Sequence, residues 1–242
     1  MKRDLMWLSA LAVAAFSVLV GLGIWQLQRL AWKQGLIARI EARSRAAPVT
    51  LRQVLAQWED SRDVDYLRVR LEGRFQHASE HHYFTVIKGT PGWRVITPLE
   101  TSSGQIVMVD RGFVPEQLKD PCRRAAGQLK GLNKVIGLAR APGEKGLFTP
   151  DNSVEKNNWF WRDLEGMASS ALSVAEIEHL VPFFVELEAT PVPGGWPRGS
   201  VTRLELRNTH LQYALTWFGL AGGLLAVFAI YLHGRLRRHS FT

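Results

Sequence analysis

The chain has 242 residues, a formal net charge of +8 and one cysteine. Its Lys and Arg residues are spread along the sequence instead of forming a stripe, and no helix-turn-helix, zinc-finger or RNA-stacking signature accompanies them, so a nucleic-acid partner is excluded and an anionic lipid surface is expected. One cysteine, Cys122 in Asp120-Pro121-Cys122-Arg123-Arg124, rules out an intramolecular disulfide and any Cys-x-x-Cys copper, zinc or redox site.

From Leu5 to Gln28 about 24 residues carry no charge, enough to cross a hydrocarbon core of about 30 Å. Only Lys2 and Arg3 precede this stretch as cations, and it runs through Gly21, Gly23 and Trp25 without a small-residue cleavage site, so it reads as a retained signal anchor. Trp7 and Trp25 lie about 27 Å apart along a helix, which suits rings at the two membrane interfaces. A basic helix, 28–45, continues outward until Pro48, and a second, capped by Thr50, covers Leu51 to Trp58.

Beyond it the apolar period changes from 3.6 to 2. Strands are expected over 66–75, 82–88, 93–99, 105–112, 128–139, 159–163 and 181–188, with turns at Thr90-Pro91-Gly92, Ser102-Ser103-Gly104 and Ala141-Pro142-Gly143. One helix, 164–179, interrupts them. Strands at this spacing predict an antiparallel sheet curled into a partial barrel with peripheral helices, an α+β domain. The Pro- and Gly-rich run 190–197 then serves as a stiff link to a second apolar stretch, 208–234.

The domain organisation expected is an N-terminal transmembrane anchor (1–28), an extramembrane α+β domain (29–206), a C-terminal transmembrane helix (207–234) and a basic tail (235–242). Small residues four apart let helix backbones approach closely, and the pairs Ala10/Ala14, Ser17/Gly21, Gly219/Gly223 and Gly222/Ala226 predict that the spans pack as a hairpin. Basic residues flank both sides of both spans. A connecting region this long translocates largely regardless of charge, so both termini are placed in the cytoplasm and the domain outside.

Motifs for phosphate binding, zinc proteolysis and nucleophilic-serine chemistry are absent, and no enzyme activity is expected. His77, Glu80, His81 and His82 cluster locally, but neighbours on a strand face opposite sides, so His81 and His82 cannot both be ligands on one face; an exposed polar strand start is expected instead. Arg111 ends a strand beside a glycine, where it either closes a turn or binds a carboxylate. The most informative polar group is His210, at the mouth of the second span, because an ionisable side chain there is costly enough to suggest function.

The stretch Leu22-Gly23-Ile24-Trp25-Gln26-Leu27-Gln28-Arg29-Leu30-Ala31-Trp32-Lys33 resembles the first-span signature of the Surfeit-locus cytochrome c oxidase assembly family, and 208–217 resembles its second. Blocks 109–115 and 157–163 resemble further family motifs in the same order. The resemblance implies an assembly factor for a haem-copper terminal oxidase, with its domain on the periplasmic or intermembrane side. In bacterial members it implies binding of haem a and delivery to oxidase subunit I, with a haem a synthesis enzyme as a further partner. His210 is the position matching the family's second-span histidine and is the candidate iron ligand.

On a helix His210, Tyr213, Ala214 and Trp217 share a face, while Trp25, Gln26 and Arg29 lie at the same membrane level on the first span. The candidate pocket is therefore His210, Tyr213, Trp217, Trp25 and Arg29, with Arg29 or Arg207 available to haem propionates. Two alternatives remain open: His210, Asn208 and Gln212 hydrogen-bond across the helix hairpin, or the protein is a haem-independent scaffold. The lack of an Arg- and Ser-rich presequence predicts a bacterial inner membrane.

Overall fold

No proline interrupts residues 2–45, and they form a single helix, α1 (Lys2–Arg45). The computed structural model describes residues 2–199 and 208–239, and the chain divides into two units. One comprises residues 1–39 with 205–242, the other residues 40–204.

In the first unit α1 packs along α5 (His210–His239). Both are long and apolar enough to cross a membrane. Gly23, Gln26, Ala214 and Ala221 are buried between them, and a Cβ at Gly23 would come within 2.6 Å of the Phe218 ring. The hairpin is present, but its seam is not the one the small-residue pairs predict. A side chain at Gly21, Gly219, Gly222 or Gly223 would meet nothing within 4 Å, and Ala10 and Ala14 are exposed. The contact row His210, Ala214, Phe218, Ala221 steps by four, four and three, a near-heptad stripe that selects Gly23 as the point of close approach. Leu11, Val18, Leu215, Val227 and Ile230 stay exposed on the outside, as a lipid-facing surface requires.

The second unit is built on β1 (Val49–Thr50), β2 (Arg68–Phe75), β3 (His81–Ile87), β4 (Thr90–Thr101), β5 (Ile106–Pro115), β6 (Asn133–Arg140), β7 (Asn158–Trp159) and β8 (Leu180–Leu187). The order β2-β6-β8-β5-β4 closes on itself because β2 also pairs with β4, giving a five-stranded barrel. At the closure Gly73 lies against the Glu100 carbonyl, where any Cβ would collide with backbone. β1, β3 and β7 extend the sheet outside the ring.

The sheet is not wholly antiparallel. β8 runs parallel to β5, which the connection of more than sixty residues between them permits. Alternation along the strands sends Val69, Leu71, Leu99, Val107, Val109, Phe183 and Val185 into the barrel. The opposite faces of β4, β5 and β8 carry Ile96, Met108 and Phe184, covered by Trp159, Leu164 and Met167.

The helical elements follow their caps. Thr50 and Gln53 form a reciprocal capping box at the start of α2 (Leu51–Ser61). The helix expected over 164–179 is two: α3 (Leu164–Ala171) ends at extended Leu172, and Ser173 with Glu176 caps a new start for α4 (Val174–Ile177). The run 190–197 does not simply link. It turns at Pro193–Gly195, and the chain then bonds back to the end of β5, with Phe113 N donating to Arg198 O at 2.9 Å and Arg198 N to Phe113 O at 3.0 Å.

Candidate functional site

His210 is the first residue of α5, where the Asn208 carboxamide oxygen accepts from its backbone N–H at 3.4 Å. Its half-buried ring meets Gln26 of α1: Nδ1 lies 2.7 Å from Oε1. An amide oxygen only accepts, so Nδ1 carries the proton and donates. In the neutral ring that arrangement leaves the Nε2 lone pair for another partner. Gln26 is buried in the seam, where an unpaired amide would be costly, so each side chain satisfies the other in an apolar setting.

The remaining predicted residues are distributed around this pair. Trp217, two turns along α5, is half-buried, and Ala214 lies in the seam. Tyr213 and Trp25 are 54% and 52% exposed, on the outer surfaces of their helices. The Arg29 guanidinium lies 4.1 Å over the Trp32 ring and is otherwise exposed. The geometry thus brings together His210 and Gln26, with Ala214 beneath them, and leaves Tyr213, Trp25 and Arg29 facing outward. Gln212 is exposed, and Arg207 lies outside the described residues.

The histidine cluster of the barrel unit differs from the exposed strand start expected of it: Glu80, His81 and His82 are buried. His81 and His82 do face opposite ways. His81 Nε2 lies 3.0 Å from Ser170 Oγ and its ring meets Trp159 edge-on. Burial, aided by the neighbouring His82, pushes its pKa down to about 4. His82 Nε2 donates to Glu80 Oε1 at 3.0 Å, and the same carboxylate receives Arg124. Burial alone would raise the Glu80 pKa, but the hydrogen bonds from His82 and Arg124 overcome it and hold it at about 2. Among the described residues no three His, Cys, Asp or Glu side chains group so as to hold a metal ion.

The two central motif blocks supply structure to this region. Asn157 Nδ2 donates to the Glu80 carbonyl at 2.7 Å. Arg111 sits within β5, buried and over the Phe75 ring, with its guanidinium on the Gly127 carbonyl and the Gln128 amide oxygen. Burial lowers its pKa to about 10. Asp110 and Glu186 share Arg94, at 2.5 and 2.6 Å, on the outer face of the barrel. Nothing in the strand pattern signalled this ion triad, because its members come from three strands that only the register aligns.

Two apolar helices of membrane-crossing length, in a chain that also carries a small closed barrel, define a class of membrane protein with an α+β domain. The chain belongs to the SURF1 family, whose model matches residues 13–222. It is 36% identical over 219 residues to human Surfeit locus protein 1, covering 83% of this chain and 69% of that protein. The mouse protein of the same name is 35% identical over 216 residues, with 83% and 67% covered. A SURF1-like protein of Rickettsia felis is 27% identical over 222 residues, with 89% and 92% covered.

Proposed function

We propose that this protein assists assembly of a haem-copper terminal oxidase by binding haem a at the outer end of its helix hairpin and passing it to oxidase subunit I. Family membership supports the oxidase role. The observation that carries the haem reading is the His210–Gln26 bond, which commits Nδ1 and leaves Nε2 as a ligand-competent nitrogen. Metal-binding histidines are usually oriented in this way through their second nitrogen.

His210 would hold the iron through Nε2 and Trp217 would shield the bound group, while Tyr213, Trp25 and Arg29, which face outward, would contact it from the outer surfaces of their helices. The bound group supplies no reaction here; the protein's residues orient it, shield it and release it. One protein ligand suits release, because nanomolar retention, about 12 kcal/mol, would oppose transfer unless a partner competed. In this reading the two helices cross a bacterial inner membrane, both termini are cytoplasmic, the barrel is periplasmic, and a haem a synthesis enzyme is the source of cargo.

The test is the visible spectrum and extracted haem content of detergent-purified protein from cells making haem a, beside His210→Ala of equal yield and fold. Haem in the parent and its loss in the variant are expected. Haem-free parent protein on which oxidase assembly still depends would replace the carrier with the haem-independent scaffold, for which the His210–Gln26 bond is simply an interhelical tie.

A further inference from the structure

The connection from β6 to β7 carries the most exposed apolar side chains outside the two long helices among the described residues: Leu147 and Phe148 are each 99% exposed. They are not on a loose strand of chain. Thr149 N donates to Gly146 O at 3.0 Å, closing a four-residue turn with Leu147 and Phe148 at its two central positions. Such positions usually take Gly, Pro, Asn, Asp or Ser. The base of the loop is tied by Gly143 N to Arg162 O at 3.0 Å and by a Lys145–Asp151 ion pair at 2.5 Å. The backbone thus holds two large apolar groups out from the domain at the tip of a braced finger.

We propose that loop 143–151 inserts Leu147 and Phe148 into the boundary between headgroups and acyl chains of the bilayer crossed by α1 and α5. Size argues for lipid over protein. A stable protein interface buries about 800 Å² per partner, whereas this apolar tip is two side chains bounded by Glu144, Lys145 and Asp151. A lipid surface accepts an isolated apolar tip without a complementary pocket. The tether argues the same way: helices that cross the membrane keep the domain at high effective concentration beside it.

Charge does not supply the attraction. Ten of the 30 Lys and Arg residues and two of the 22 Asp and Glu residues lie outside residues 40–199, leaving 20 of each sign within. The chain's excess positive charge belongs to the helices, their flanks and the tails, and the barrel domain is neutral. Insertion of the finger is therefore apolar in origin and insensitive to salt and to anionic lipid.

The exposed single cysteine makes the test clean. In a Cys122→Ser background of the full chain, Phe148→Cys is labelled with an environment-sensitive nitrobenzoxadiazole dye and reconstituted in phosphatidylcholine vesicles with and without lipid spin-labelled at carbon 5. Val174→Cys, at an 80% exposed site in α4, is the control. The label at 148 is expected to emit further to the blue and to be quenched roughly twofold or more relative to 174, equally at low and high salt.

Equal quenching at both sites overturns the proposal. So does shielding at 148 that grows with protein-to-lipid ratio without spin-label quenching, which identifies a second copy, or shielding that arises only when an oxidase subunit is added. Leu147→Cys gives the same reading if Phe148→Cys fails to match the parent's thermal midpoint. None of these outcomes depends on whether the protein binds haem.

Discussion

The two units treat buried polar groups in opposite ways. In the barrel unit Arg94 is shared by Asp110 and Glu186, and Glu80 receives His82 and Arg124, so charges cluster and pair with one another. In the helix hairpin the hydrogen-bonded pair Gln26 and His210 interrupts an apolar seam, and one ring nitrogen is left outside that pair. Buried ionic networks specify and rigidify a fold. An imidazole oriented through one nitrogen keeps the other available to a ligand. On the carrier reading the barrel is the scaffold and the hairpin holds the ligand site.

The largest effect expected from breaking this contrast is in the barrel. Arg94→Met removes the buried cation that Asp110 and Glu186 share, and a loss of about 3–5 kcal/mol in denaturant-derived stability is expected. Asp110, already raised by burial, should then be pushed further up and bind a proton more readily.

Acid should unfold the same unit in two stages. His81 has a folded pKa near 4, below the 6.5 of a free imidazole. The unfolded chain therefore binds the proton first, and the stability contributed, present above 6.5, is lost as pH falls toward 4. Glu80, near 2 against 4.5, contributes stability above 4.5 that disappears as pH falls toward 2. The second stage is worth about 3 kcal/mol. Thermal midpoints across pH 7 to 2 measure both, and His81→Asn should remove the upper stage alone. A midpoint that is flat between pH 6.5 and 4 in the parent would contradict the assignment.

In the hairpin, Gly23→Leu forces a side chain into the Phe218 ring, and overpacking of this kind costs about 1–3 kcal/mol. Gly21→Leu, with open space around it, should be nearly silent. Inter-helix disulfide trapping between engineered cysteines at the seam would distinguish the two. Last, Gln26→Leu frees the His210 Nδ1 proton, and on the carrier reading haem affinity should fall about 10–100-fold while His210 remains in place. An unchanged affinity would make the bond a structural tie only.

Much of this was legible from the residues alone, wherever the physics is local. Two uncharged stretches of membrane-crossing length, the change of apolar period after residue 58, and the Thr50 and Pro48 signals each depend on neighbours within a few positions. So does the inference that His81 and His82 face apart. The presence of His210 and Gln26 at comparable depth could also be read from spacing, although Gln26 was not singled out as a site residue.

What the sequence by itself determined is the set of elements: two apolar helices, a run of strands with turn residues between them, and a polar group at the mouth of the second helix. Only the tertiary structure decided which glycine meets which ring, that the barrel closes through β2 and β4 with β8 parallel to β5, that the Glu80 cluster is buried, and that Gln26 Oε1 accepts a hydrogen bond from His210 Nδ1. Those outcomes pair residues far apart in sequence. Helix seams and strand registers are chosen by the summed packing of whole faces, which no single residue's neighbours along the chain record.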